Sequence, residues 1–259
     1  MLFRIISATT AIIVLTAASL PQTGPLPQQK PDLEQIQLSA EPPTPTEKPA
    51  VPETQPTAGE MQGPPKPPPT IAAESEEEHQ ICLAQLTAIG ATFKDIPRID
   101  DGNGCGIDKP IALTEPLPGI RMKPEGAMRC ETALALAHWM KESVIPSAAA
   151  LKDNGRIVTI NQASTYICRL RNNAATGKIS EHARGNAVDI AGFTFENGKT
   201  IGIEPRREDP TLTGAFQRTA SASACLYFST VLDPESDAAH ETHFHLDVLK
   251  RSGGFRYCH

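Results

Sequence analysis

The spacing of apolar residues between residues 80 and 259 predicts three helices in one domain. Apolar residues recur at the helical period in CETALALAHWMKESV (Cys130–Val144), and the short segment Cys82–Gly90 has the same character. Pro146 is expected to end the longer helix, because proline lacks the amide proton that a helix interior needs. A third helix is predicted from about Gly214 to Leu232.

Segments rich in β-branched and aromatic residues predict strands between and after these helices. The predicted strands are RIVTI (156–160), STYICRL (164–170), AVDIAGFTF (187–195), TIGI (200–203) and HFHLDVL (243–249). Asn197-Gly198 separates two of them and is a strong hairpin signal. Together the elements predict an α+β fold in which helices flank an antiparallel sheet.

Two of the predicted strands place polar side chains on one face. In AVDIAGF, alternation sets Asp189 on the face opposite the branched apolar residues. In HFHLDV, it sets His243, His245 and Asp247 on a single face. A carboxylate in such a setting is costly unless it is paired or bound to a metal.

The first 79 residues differ in composition from the rest of the chain. Residues 1–20 have one basic residue, an uncharged run and small residues at its end, which predicts a secretory signal, or an anchor if it is not cleaved. Residues 21–79 contain 15 of the 24 prolines and almost no aromatic or branched apolar side chains. We expect a disordered, polyproline-like tether there, and an exported protein of the periplasm or cell envelope.

The charge count separates the same two regions. Residues 1–79 contain 10 acidic and 4 basic side chains, whereas residues 80–259 contain 20 of each. The predicted domain is therefore charge-balanced and shows no basic stripe of the kind that nucleic-acid binding requires. Contact with a membrane is expected only through an uncleaved N-terminal segment.

All six cysteines lie in the predicted domain, and no two of them form a C-x-x-C motif. An even number in an exported chain predicts three disulfides, and the sequence does not choose among fifteen pairings. The six are Cys82, Cys105, Cys130, Cys168, Cys225 and Cys258. The hypothesis adopted is Cys82–Cys105, Cys130–Cys168 and Cys225–Cys258.

Four of the seven histidines fall in two short stretches, SEHARGNAVDIAGF and HETHFH. Gly185 permits a turn that brings His182 towards Asp189. Imidazole and carboxylate are ligands that suit zinc, and a catalytic zinc takes three protein ligands. His182, Asp189 and a histidine from the later strand supply that number. Considered alone, the first stretch also suits an ordinary hydrogen-bonded turn.

These motifs resemble a family of zinc peptidases. The pattern S-x-H-x-x-G-x-A-x-D, from Ser180 to Asp189, followed by H-x-H, resembles the lysostaphin, D-Ala-D-Ala metallopeptidase and hedgehog superfamily. The spacing H-x-x-H-x-H resembles the penicillin-insensitive murein endopeptidases. STYICR, HETHFHLD and the closing RYC also resemble the bacterial extensin-like C-terminal family, over residues 80–259.

The resemblance implies a role for each site residue. His182, Asp189 and His245 would bind zinc. The other implied residues are His243 as the base or its partner, His240 and Glu241 beside it, and Arg169 and Ser180 near the substrate. Carboxypeptidases of the superfamily have a glutamate where this chain has Thr242, which favours an endopeptidase.

The resemblance also implies the activity. The expected function is a zinc-dependent hydrolase that uses an activated water to cleave amide bonds in peptidoglycan cross-links. The alternative is a non-catalytic, zinc-containing protein that binds or supports the cell wall, since hedgehog-type members show that such a site does not guarantee hydrolysis. The bond cleaved and the oligomeric state are left open by the sequence.

Overall fold

The structure, a computed structural model, describes residues 70–259. The predicted export segment and the Pro-rich segment as far as residue 69 lie outside the described residues. The described part of the chain is a mixed α+β domain, as predicted. None of the helices within residues 70–259 is long and apolar enough to cross a membrane.

The described residues contain three longer α-helices and one single-turn helix. They are α1 (Glu76–Ile89), α2 (Cys130–Trp139), α3 (Ile145–Ala148) and α4 (Leu212–Ala224). A π-helical turn, Met140–Val144, joins α2 to α3. The helix therefore continues past Pro146, contrary to the prediction. Within the π-turn the amide of Ile145 bonds five residues back, to Met140, so the backbone is already wider where the proline enters.

Twelve strands lie in the described residues. They are β1 (Thr92–Asp95), β2 (Ile99–Gly102), β3 (Cys105–Ile107), β4 (Pro110–Glu115), β5 (Arg121–Lys123), β6 (Gly126–Arg129), β7 (Ile157–Ser164), β8 (Ala187–Phe195), β9 (Thr200–Gly202), β10 (Thr230–Leu232), β11 (Phe244–Asp247) and β12 (Tyr257–Cys258). The main sheet has the order β12-β10-β11-β8-β7-β5, with β9 also paired to β8. The sheet is mixed, and not antiparallel throughout as was predicted, because β5 runs parallel to β7 and β10 runs parallel to β12.

Several predicted elements differ from the structure. β1 to β6 were not predicted. STYICRL is a strand only at Ser164, since the next residues leave the sheet, with the Tyr166 amide bonded to Ala127 and its hydroxyl to Asp101. α4 ends at Ala224, and β10 occupies what was predicted to be its last turn.

The folded domain begins before residue 80, where the sequence placed its boundary. Ser75 caps α1, since its hydroxyl accepts a hydrogen bond from the amide of Glu78 at 3.3 Å. Glu74 is largely buried and pairs with Arg129 at 3.0 Å. His79, in the segment predicted to be a tether, has a side chain only 8% exposed. The acidic run thus belongs to the domain. Its negative charges lie at the N-terminus of α1, where they interact favourably with the helix dipole.

The core lies between the main sheet and the helices α2 and α4. Trp139 is fully buried, and its ring centre lies 6.1, 6.3 and 6.4 Å from those of Phe193, Phe228 and Phe244. Its indole nitrogen donates a hydrogen bond to the carbonyl of Ala220 in α4. Aromatic packing therefore fixes β8 and β11 against both helices.

Strand β8 has the predicted alternation over its first half. Val188 and Ile190 face the core, opposite Leu246 and Phe244 of β11. At Ala191 the pairing with β7 skips one residue, and from there Phe193 and Phe195 face the core. The bulge therefore gives core positions to both phenylalanines without disturbing the polar face of the first half.

The disulfides are Cys82–Cys130, Cys105–Cys168 and Cys225–Cys258. Only the third agrees with the hypothesis, so Cys82–Cys105 and Cys130–Cys168 are wrong. Cys82 lies inside α1, which packs on α2, and its neighbour in space is therefore at the start of that helix. Cys105 lies on β3 and links instead to the segment that leaves β7.

The helix-to-helix disulfide should contribute strongly to stability. Replacing Cys82 and Cys130 together by serine is expected to lower the free energy of unfolding by about 4 kcal/mol, because the bond closes a loop of 48 residues in the unfolded chain. Urea denaturation of the purified protein measures this loss. A non-reducing peptide map in which Cys82 is linked to Cys105 would show the pairing to be wrong.

Candidate metal site

Two neighbouring strands and one tight turn position the candidate ligands. Asp189 on β8 and His245 on β11 are direct cross-strand partners. His182 lies in a short 3₁₀ turn that ends at Gly185, whose φ of 68° is left-handed. A side chain at Gly185 would also overlap Ile107. The turn that the sequence predicted at Gly185 thus returns the chain to the sheet with His182 facing Asp189.

The three donor atoms form a nearly equilateral triangle. The distance from His182 Nε2 to Asp189 Oδ1 is 3.1 Å, and from His182 Nε2 to His245 Nδ1 it is also 3.1 Å. His245 Nδ1 lies 3.0 Å from Asp189 Oδ1. In the described part of the chain, this is the one group of three or more histidine, cysteine or carboxylate side chains whose ligand atoms all lie within 4.8 Å of one another.

Each imidazole of the triangle is oriented through its other nitrogen. The Thr165 carbonyl accepts a hydrogen bond from His182 Nδ1 at 2.7 Å. Asp247 Oδ2 lies 3.3 Å from His245 Nε2, and the other oxygen of Asp247 accepts from the Thr230 hydroxyl at 2.6 Å. Both rings therefore turn a nitrogen towards the shared centre, which is how metal-binding histidines are held.

The electrostatics of the metal-free site reflect the same contacts. Burial raises the pKa of Asp189, but hydrogen bonds from His182 and His245 outweigh it and lower the pKa below its ordinary range. Burial lowers the pKa of His245, but hydrogen bonds to Asp189 and Asp247 raise it to about 9. Without a metal, the proton on His245 offsets one of the two carboxylate charges.

His243 and His240 line the same cleft beside the triangle. His243 Nε2 lies 3.7 Å from Asp189 Oδ1, and burial lowers the pKa of His243 below its ordinary value. His240 is 7% exposed, and its Nδ1 lies 2.7 Å from Asp237 Oδ1. The ring centres of His240 and His243 are 5.4 Å apart. The structure therefore groups all four histidines of the two motifs.

The remaining sequence-predicted residues divide into two groups. Arg169 lines the cleft, with Nη2 4.0 Å from Asp189 Oδ2. Ser180 is buried, and its hydroxyl accepts from the amide of His182 at 3.4 Å, so it stabilises the turn. Glu241 is exposed and does not line the cleft. Its predicted place beside His243 required the strand to extend further back, whereas β11 begins at Phe244.

Sequence reasoning missed the partners that orient the rings. Asp237 lies in a turn three residues before His240, and Thr165 acts through its carbonyl, so neither has a motif of its own. The strand period did place Asp247 on the face of His245, and alternation is the signal that finds it.

The triangle lies in a cleft of about 620 Å³.

Residues 80–259 match the family described as extensin-like protein C-terminus. The chain belongs to the extensin-like family. No curated protein and no solved structure shows detectable similarity to it. The function of this extensin-like domain must therefore be argued from its own site.

The pKa of His245 in the metal-free protein depends on Asp247. Asp247→Asn is expected to lower it from about 9, because the carboxylate that favours the imidazolium is lost. In the unmodified protein, the stabilisation from this raised pKa is complete below the unfolded value of roughly 6.5 and is lost as the pH rises through about 9. Histidine ring-proton NMR against pH, with chelator present, measures the shift.

The exposed His138 on α2 pairs with Glu142 away from the site, and His138→Ala identifies its signals so that those of His245 can be followed. An unchanged titration of His245 in the Asp247→Asn variant would contradict the assigned role of Asp247.

Proposed function

We propose that the extensin-like domain is a zinc-dependent peptidoglycan hydrolase that acts on the peptide cross-links of the wall. The observation that carries the proposal is the triangle of His182, Asp189 and His245 at the bottom of an open cleft. The likeness of its motifs to the zinc endopeptidase superfamily, and the expectation that the protein is exported, support the same substrate.

The donor set fits zinc in size. A tetrahedral site with bonds of roughly 2.0–2.1 Å has ligand atoms about 3.3 Å apart, close to the 3.0 and 3.1 Å found here. His182 and His245 each direct one nitrogen to an oxygen outside the triangle. Their second nitrogens therefore both face the shared centre, 3.1 Å from each other, where each could give a lone pair to a cation.

The number of ligands supports catalysis over a structural role. Structural zinc sites usually have four protein ligands, whereas catalytic sites have three and admit water or substrate. His243 is close to the triangle but 3.7 Å from Asp189 Oδ1, and no hydrogen bond to another side chain holds its ring among the described residues. It is therefore placed to act on a reactant in the cleft.

The side chains around the triangle divide the work of amide hydrolysis. Zinc, when bound, would supply Lewis acidity towards the attacking water and the substrate carbonyl. His243 is half-buried with a lowered pKa, so it is neutral at pH 7 and can accept a proton. Arg169 presents its guanidinium beside the carboxylate of Asp189, where it can hold a substrate oxygen.

His240 extends this set and lies beside both His243 and His245, with ring centres 5.4 and 5.7 Å apart. Asp237 accepts the hydrogen of its Nδ1, so Nε2 is left as an acceptor. We assign His240 to orienting His243 or the leaving amine, and Asp237 to fixing the ring of His240. Glu241 has no part in the proposal, because it does not reach the cleft.

Zinc should bind with one ion per chain and displace a proton. At pH 7 His245 is protonated in the metal-free protein, so binding is expected to release about one proton per ion, and the affinity should weaken as the pH falls. Titration calorimetry in buffers of different ionisation enthalpy measures the release. His182→Ala should abolish tight binding while His138→Ala retains it; purified protein without stoichiometric binding would refute the site.

Hydrolysis should distinguish the base from the ligands. His243→Ala is expected to retain zinc but lose roughly 10²–10⁴-fold in kcat, because only the proton acceptor is removed. His245→Ala should lose both zinc and activity. Liquid chromatography of cross-linked muropeptide dimers incubated with the purified, zinc-loaded protein measures turnover, and His138→Ala is the matched control.

The same assay tests the alternative function. If the unmodified, zinc-loaded protein binds the dimers and leaves them intact, the hydrolase proposal is wrong and a wall-binding role replaces it. If His243→Ala cleaves the dimers at the unmodified rate, hydrolysis stands and the assignment of the base is wrong.

A further inference from the structure

Two exposed aromatic side chains outside the metal triangle line the same cleft. Phe255 is 62% exposed and Tyr257 is 43% exposed, and both border the same cleft as His245. Seven large hydrophobic residues are exposed in the described part of the chain, and these are the two aromatic ones among them. Exposed apolar side chains gathered at a cleft usually mark a binding surface.

The backbone of this aromatic wall, Phe255 and Tyr257, is anchored. Arg256, between the two residues, donates hydrogen bonds to the carbonyls of Cys225 and Phe228 at 3.0 and 2.7 Å. The Tyr257 amide donates to Ser229, and β12 pairs with β10. The disulfide Cys225–Cys258 ties the strand to the end of α4. The backbone that carries the two rings is thus held in place before any ligand arrives.

The residues around the loop after Leu170 add polar groups to the same cleft. Asn172 and Asn173 are both exposed and line it, with φ values of 52° and 54°. Neither carboxamide has a hydrogen-bond partner among the described side chains and backbone groups. Arg171 stands beside them and pairs with Glu181 at 3.2 Å. Planar amide groups left free at a cleft can bind hydroxyl and acetamido groups.

We propose that this part of the cleft is a saccharide subsite for the glycan strand of peptidoglycan. A pyranose ring has one face of C–H groups and an edge of polar groups. The negative face of an aromatic ring attracts the C–H groups, and the asparagine amides can form hydrogen bonds with the polar edge. An apolar peptide side chain would instead need an enclosed apolar pocket, whereas Phe255 is open to water and faces a cleft that is also lined by amides.

The inference rests on the proposed function for its substrate, and it assigns the two ends of the cleft. The sugar would lie against Phe255 and Tyr257, while the attached peptide would run towards His243 and the triangle. The domain would then recognise the glycan as well as the peptide cross-link, and would prefer cross-links that are still attached to glycan.

Binding to the zinc-free protein tests the subsite separately from hydrolysis. The probes are the β-1,4-linked tetrasaccharide of N-acetylglucosamine, a disaccharide tetrapeptide from the wall, and the free tetrapeptide. Titration calorimetry on the chelator-treated protein should show binding of both sugar-containing probes, with the disaccharide tetrapeptide at least about tenfold tighter than the free tetrapeptide.

Substitutions on the aromatic wall should change only the sugar contribution. Phe255→Ala is expected to weaken both sugar-containing probes about tenfold, and Phe255→Tyr should restore binding. Leu212→Ala is the matched control, because Leu212 is 61% exposed but does not line the cleft. Circular dichroism of each variant confirms that the fold is retained.

The outcomes separate this inference from the proposed function. If the free tetrapeptide binds as tightly as the disaccharide tetrapeptide, or if Phe255→Ala binds like Leu212→Ala, the subsite is refuted even when dimers are cleaved. Binding of the tetrasaccharide without the disaccharide tetrapeptide would refute the assignment to peptidoglycan. Sugar binding by a protein that cleaves no dimers would retain the subsite and refute the hydrolase.

Discussion

The pairing of β8 with β11 is the constraint on which the rest of the domain depends. One register places Asp189 opposite His245 on one face of the sheet and Ile190 opposite Phe244 on the other. The apolar face packs on Trp139, which is fully buried and hydrogen-bonded to α4. A slip of β8 by one residue would turn Asp189 into the core and expose Ile190, so burial of the core also fixes the site.

The same arrangement explains how a compact group of histidines and carboxylates is tolerated. Asp189 is almost completely buried, and Asp247 is buried beside it. In the metal-free protein, hydrogen bonds and the proton on His245 offset the cost of burying these charges. A bound cation would take over that role and release the proton. A bound cation and a proton on His245 are therefore two alternative ways to offset the charge of the buried carboxylates.

Much of the candidate site could be predicted from sequence, because two of its residues lie on strands with a short, regular period. Alternation set Asp189 and His245 on the polar faces of their strands, and the pairing of these strands makes the two faces one. The left-handed Gly185 gave the turn that adds His182. Prediction failed where long-range packing decides the outcome. The partners of Cys82 and Cys105 follow from how α1 and β3 dock, and β1 to β6 are too short for their alternation to be distinctive. The position of Asp237 could not be predicted, because it lies in a turn, which has no periodic sequence pattern.

The segments that border the cleft are irregular, and covalent bonds replace the support of a sheet there. The chain that leaves β7 carries Thr165 and Arg169 and is linked at Cys168 to β3. The C-terminal segment that carries Phe255 and Tyr257 is linked near its end to the residue after α4. A side chain on an unsupported loop must lose conformational freedom when it binds a ligand, which costs affinity. Because both links constrain the backbone, the extensin-like domain restricts the groups that line its cleft although few of them lie on long strands.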